Sequence, residues 1–253
     1  MTATAIPIPA ALDDRKPPLE RLTRVELRKT ADTRAGFWLI LALGLMVVAT
    51  AVIYLFAAKP QDLSFEDILR VEQFPINVLL PVLGILLVTS EWSQRTALTT
   101  FTLVPDRHRV IVAKAAAVVA LTVAAMIVSL VTATLANAIG GHPWTLGIET
   151  IGELFLFQLA ALLGGFAFGL ALQSSAPAIV VYYIAPTLVS IVVEIIKSIK
   201  DAAAWIDLGQ TTTPIADGSA SGTEWAQFGT SSALWILVPL AIGLWRLSRS
   251  EMK

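Results

Sequence analysis

The side chains able to do chemistry are few, and they do not form a catalytic set. The chain has two histidines, His108 and His142, and no cysteine, which rules out disulfides, thiol catalysis and thiolate metal sites. In the topology derived below the two histidines fall on opposite sides of a membrane, so no shared metal site is expected. No HExxH, GxSxG or paired intramembrane aspartates occur, so no catalytic residues are assigned. No GxxxxGK[ST] phosphate loop occurs either. Any nucleotide-driven step would need a nucleotide site on another polypeptide, and the chain itself is not expected to be an enzyme.

The polar chemistry is concentrated between residues 91 and 114, flanked by two long apolar runs. Glu91 stands at the exit of the first run. Residues 94–104, with Arg95 and Thr96, can form a helix that puts Leu98 and Phe101 on one side at i,i+3 spacing. Pro105 ends it, because proline lacks a donor and disfavours helix in the residue before it. Arg107 and Arg109 follow, then Lys114 one turn into the second run. Such a helix lying across a membrane exit would let a soluble partner move two spans at once. The plainer alternative is an ordinary basic loop.

Within the apolar runs, Asn77 with Pro81, and Tyr182 and Tyr183 with Pro186, mark kink-prone polar points. Glu194 is a carboxylate late in a run with Lys197 at i+3. It serves either a substrate or simply its neighbour and the headgroups. The Gly165-x-x-x-Gly169 pair allows close helix approach, and packing within one chain is favoured over a dimer seam.

The elements that must hold these residues are membrane helices. Hydrophobic residues make up 56% of the 253 and charged residues 15%, with a mean hydropathy of +0.73. That is too apolar for a soluble surface of this size. Net charge is −1, and no basic tract is interleaved with aromatics, so nucleic acid is not an expected partner. Residues 1–18 read as a flexible tail without a signal-peptide core. Residues 19–253 read as one transmembrane domain. Residues 19–35 form a basic amphipathic helix, with Arg21, Arg24 and Arg28 on one side and Leu19, Leu22 and Leu27 towards the other. It suits either the lipid interface or a solvated face.

Six spans are expected, at about 37–57, 73–90, 111–139, 150–172, 177–197 and 231–247, since ~20 apolar residues cross ~30 Å of hydrocarbon. Trp235 and Trp245 suit the two interfaces of the last. With the N-terminus inside, seven Lys or Arg precede the first span, four lie around 91–114 and three follow Leu244. Only Lys59, Arg70, Lys197 and Lys200 fall outside. That asymmetry puts both termini in the cytoplasm. The outside segments carry the acids Glu66, Asp67, Glu72, Glu149 and Glu153. The short connection at 173–176 makes spans four and five antiparallel neighbours. Residues 198–230 are small and polar, although 195–208 keeps apolar residues at helical spacing. It forms either a segment re-entering the outer leaflet or a surface loop. No internal repeat is visible, which disfavours an inverted-repeat carrier.

The run from Leu79 to Ala120 resembles the permease subunits of ABC-2 type transporters. There a Glu closes the second helix, a Thr follows, and a Pro-x-Arg-x-Arg cluster precedes an Ala-Lys opening the third helix. Here these are Glu91, Thr96, Pro105, Arg107, Arg109, Ala113 and Lys114. Residues 25–40 are similar to the family's entry helix, and 233–253 to the closing helix and basic tail of actinobacterial members. His108 splits the arginines where many members carry a basic or small residue.

The resemblance implies an all-α integral membrane permease with a coupling helix between helices 2 and 3. It implies two permease subunits, identical or paralogous, and two cytosolic ATPase copies that carry ATP and Mg, in a bacterial cytoplasmic membrane. Glu91, Arg95, Thr96, Leu98, Phe101, Pro105, Arg107 and Arg109 would lie at or near the ATPase contact. Because spans two and five border the path in that family, Asn77, Pro81, Tyr182, Tyr183 and Glu194 become path residues. The expected activity is export or flipping of a hydrophobic or amphipathic cargo such as a drug, lipid or peptide. The alternatives are an ATP-independent carrier or channel, which would favour acids or bases near the midplane, and a membrane scaffold or regulatory subunit.

Overall fold

A computed structural model describes residues 17–59, 63–93 and 107–249, except for the side chains of Ser93, Arg107, His108, Lys197 and Lys200. Every regular element in them is helical. Helix α1 (Leu19–Asp32) is followed by α2 (Arg34–Ala57), a short α3 (Phe65–Val71), α4 (Gln73–Ser93), α5 (Arg107–Gly140), α6 (Ile148–Leu172) and α7 (Ser175–Ile195). A 3₁₀ turn (Lys197–Ile199) leads to α8 (Lys200–Ala203), α9 (Leu208–Asp217) and α10 (Gly222–Arg249). Six helical stretches are long and apolar enough to cross a membrane: Arg34–Ala57, Phe65–Trp92, Arg109–Gly140, Ile148–Leu172, Ser175–Ile195 and Gly222–Arg249. These are the six expected spans, with several ends extended. The outward surface is itself apolar, with Phe56, Ile139 and Ile148 all more than four-fifths exposed. A surface of this kind suits lipid rather than water, and the protein is a multi-pass membrane protein.

The α1–α2 corner is set locally. Thr33 leaves the helical region (ψ 141°) and its hydroxyl accepts from the Gly36 amide at 3.2 Å. A Cβ on Gly36 would run into the Thr30 carbonyl, so only glycine allows the reversal to be this tight.

Helix α6 is the centre of the bundle. Its most extensive contact is with α4 and its next with α10. The α4–α6 seam is built on missing side chains. A Cβ on Gly165 would collide with the Pro81 carbonyl, one on Gly84 with the backbone of Leu162, and one on Gly169 would sit 3.1 Å from Ile85. The Gly165–Gly169 pair therefore packs inside the chain. Leu80, Leu83, Val88, Leu162, Phe166 and Leu170 fill the core around it. At the end of α6, Gln173 adopts a left-handed conformation (φ 53°), and Arg246 on α10 donates to the Ala171 carbonyl at 2.6 Å. The two-residue link Gln173–Ser174 then delivers α7 beside α6, as the short connection requires.

The polar stretch after α7 is mostly helical. Asp207 Oδ1 accepts from the amides of Gly209 (3.0 Å) and Gln210 (3.3 Å), which caps α9. Thr212 and Thr213 return their hydroxyls to carbonyls within the helix. Gly218 (φ 69°) ends it. Arg70, from the start of the chain's second long helical stretch, donates to the Ile215 and Ala216 carbonyls at 3.4 and 3.1 Å. Helix α9 packs on α6, α7 and α10.

Candidate functional site

Two features concentrate the polar chemistry. One is a buried four-charge network where α1, α4 and α5 meet. Lys114 Nζ lies 2.5 Å from Glu26 Oε2 and 3.3 Å from Glu91 Oε1, and donates to the Leu87 carbonyl at 3.0 Å. Lys29 Nζ lies 2.9 Å from Glu26 Oε1 and 3.3 Å from Glu91 Oε1. Two ammonium groups thus alternate with two carboxylates. Lys114, Glu26 and Glu91 are buried, while Lys29 is two-fifths exposed. Burial pushes the Glu26 carboxyl up, but Lys114 and Lys29 outweigh it and hold it below the usual carboxylate range. Burial likewise works against the Lys29 ammonium, and Glu26 and Glu91 overcome it, raising its pKa. Arg109 adds a bond from its guanidinium to the Pro17 carbonyl, 2.6 Å away, just ahead of α1.

This network reorients α1. Arg21, Arg24 and Arg28 are exposed, with Arg24 and Arg28 paired to Glu20 and Asp32 along the helix. The face turned into the protein carries Glu26 and Thr30. The amphipathic pattern of Arg21, Arg24 and Arg28 against Leu19, Leu22 and Leu27 singles out neither Glu26 nor Lys29. The available signal was a second polar stripe, Glu26, Lys29 and Thr30 at i,i+3,i+4, on a helix whose arginines already supplied a polar side.

Glu91 and Lys114 also lie on α4 and α5, the two helices that flank the segment expected to form the coupling helix. Arg95, Thr96, Leu98, Phe101 and Pro105 lie outside the described residues, as does the Arg107 side chain.

The second feature is a cavity of about 260 Å³ walled by α4, α6, α7, α9 and α10. Asn77, Tyr182 and Tyr183 line it together, although Asn77 stands more than 100 residues from the two tyrosines in sequence. Pro81 and Glu194 do not line it. Pro81 lies in the α4–α6 seam, and Glu194 is exposed on α7. Six aromatic rings face the space: Phe157, Phe168, Tyr182, Tyr183, Phe228 and Trp235. Four of them form a ladder. Trp235 stacks on Phe168 (6.2 Å), Phe168 meets Tyr182 edge-on (5.7 Å), and Tyr182 meets Tyr183 edge-on (4.9 Å). No described residue lining the cavity is charged. Trp235, expected at the end of its span, instead lies midway along α10 (Gly222–Arg249) and lines the cavity.

A third polar group is enclosed by the bundle. Glu72, counted above among the outside acids, is fully buried at the α3–α4 junction. Ser129 donates to its Oε2 at 2.6 Å, while its Oε1 has no hydrogen-bond partner among the described residues. Gln158 donates to Gln73 at 2.8 Å beside it. An acid in a charged stretch just ahead of an apolar run looks like a loop residue in sequence, and only the packing of α5 and α6 encloses it. Among the described residues no group of His, Cys, Asp and Glu could hold a metal.

A scan against models of known protein families matches none, and no curated protein matches the sequence.

Proposed function

We propose that this chain is the permease subunit of an ATP-driven exporter of the ABC-2 kind. In this reading both termini are cytoplasmic, α1 lies at the inner interface, and residues 94–106 carry a coupling helix for a separate ATPase. Two ATPase copies bind ATP and Mg, a second permease subunit, identical or paralogous, completes the assembly, and α8–α9 re-enter the outer leaflet. The membrane is a bacterial cytoplasmic membrane, and the cargo is hydrophobic or amphipathic.

The observation that carries this reading is the network Glu26–Lys114–Glu91–Lys29. It ties α4 and α5, which flank the 94–106 segment, to each other and to α1. A push on that segment would move α4 and α5 as one body rather than splay them. Helix α4 also forms a wall of the aromatic cavity through Asn77, so the motion has a direct route to a binding space.

The test is a pull-down of the tagged chain from its native membranes in mild detergent, with every co-purifying polypeptide identified. A stoichiometric partner with a phosphate-binding loop supports the reading. A folded chain that arrives with no ATPase sinks it.

One observation favours a second reading, an ATP-independent carrier. A buried carboxyl such as Glu72, one of whose oxygens has no hydrogen-bond partner among the described residues, is the type of group that ion coupling uses. In that case Glu72→Gln would abolish transport, and transport would collapse with the ion gradient while ATP stayed constant.

A further inference from the structure

The cavity has an electrostatic bias that its uncharged lining conceals. Almost every side-chain donor around it is already committed to a backbone carbonyl. Tyr182 donates to Ala161 (3.2 Å), Tyr183 to Val78, Thr187 to Tyr183 (2.8 Å), and Thr212 to Leu208 (2.8 Å). Trp235 Nε1 donates to Ile206 (2.8 Å), and Asn77 Nδ2 to Gln73 (3.0 Å). The first amides of α9, which could otherwise receive an anion, are held by Asp207 Oδ1. What remains is acceptor-rich. Asn77 Oδ1, which only accepts, and Ser232 Oγ, which can accept or donate, are buried at the cavity with no partner among the described residues. Six aromatic side chains complete the lining. Aromatic faces attract cations, and free lone pairs accept donors.

We infer that this cavity binds a small lipophilic organic cation, an ammonium whose charge is spread over a bulky apolar body, and rejects anions of the same size. A diffuse charge is needed because a compact ammonium would lose too much hydration in a site without a facing carboxylate. The volume of about 260 Å³ lies just below that of common drug pockets, so the occupant carries one ring system rather than several. The inference rests on the cavity being part of the substrate path, and it names the substrate class of that path.

The chain has no native cysteine, so a Thr187→Cys variant places one alkylation target on the cavity wall. The full chain, with whatever co-purifies, is held in a non-ionic detergent and alkylated. Three probes are compared: benzyltrimethylammonium, its uncharged carbon isostere neopentylbenzene, and the anion benzenesulfonate. The cation is expected to protect the cysteine at a concentration at least about tenfold lower than either of the others. Adding Tyr182→Leu should remove that preference, and Tyr182→Phe, which keeps the ring, should retain most of it. Equal protection by benzenesulfonate or neopentylbenzene overturns the inference, as does no protection by the cation. Indifference to Tyr182→Leu also overturns it. Cation-selective protection in a preparation that carries no ATPase upholds the ligand class and sinks the exporter reading. An ATPase-bearing preparation without cation protection does the reverse.

Discussion

Lys114 Nζ lies 3.3 Å from Glu91 Oε1, so α4 and α5, the helices on either side of the 94–106 segment, are joined by a buried ion pair. Lys114 also neutralises Glu26 on α1. Removing it leaves two buried carboxylates facing one half-exposed lysine. Breaking a buried pair by deleting one partner costs about 3–5 kcal/mol. Lys114→Met should therefore lower the unfolding midpoint of the detergent-purified protein by several degrees. The triple variant Glu26→Gln, Glu91→Gln, Lys114→Met should recover much of the loss, because no uncompensated charge remains. Wild-type stability in the single variant would mean that the network does not hold α1 in place.

The same network responds to pH at both ends. The folded-state pKa of Glu26 is lowered from 4.5, so its contribution is present above that value and disappears as pH falls through the lower, folded one. The folded pKa of Lys29 is raised from 10.5, so its contribution is complete below that value and disappears as pH rises through the higher one. A spin label at Arg24→Cys, on the exposed face of α1, should show constant mobility between these limits. It should loosen first on the acid side below pH 4.5. Loosening near pH 7 would contradict the assigned pairing.

How far the sequence reveals these features depends on where each is encoded. The six spans are legible because each carries its own apolar window, independent of neighbours. Helix α9 is not. Its Thr211-Thr-Thr-Pro214 run has the composition of a loop, and its helicity depends on the Asp207 cap and on Arg70, which reaches its last carbonyls from 145 residues upstream. Asn77, Tyr182 and Tyr183 stand out in sequence as polar atoms in apolar runs, but their convergence on one cavity requires the α4–α6–α7 packing. Glu26 and Lys29 are hidden because short-range i,i+3 pairing suffices to explain them. Their third and fourth partners lie 62 and 88 residues away.

The α4–α6 seam makes a sharper packing test. Gly165→Val would drive a branched side chain into the Pro81 backbone, which cannot rotate away. Overpacking of this kind costs about 1–3 kcal/mol or more. The expected result is a loss of monodisperse protein on size exclusion. Gly152→Ala, with nothing within 4 Å of the added Cβ, is the matched control and should behave as wild type. If Gly165→Val is equally well behaved, the seam is looser than the glycine contacts imply.

The coupling proposal makes the final demand. If residues 94–109 receive the ATPase, charge reversal there should leave the bundle intact, because the core of α4, α6 and α10 lies elsewhere. Arg107→Glu with Arg109→Glu should abolish transport-linked stimulation of ATP hydrolysis while expression and the unfolding midpoint change little. Arg109 also bonds the Pro17 carbonyl, so Arg109→Gln serves as a comparison. It removes that guanidinium without adding negative charge, and should keep at least about half of the stimulation if the reversal acts by repulsion at the partner surface, a rim-type effect. A double variant that still stimulates hydrolysis fully would move the partner contact off this segment. Loss of stimulation in Arg109→Gln equal to that in the double variant would instead assign the effect to the anchoring of the segment before α1.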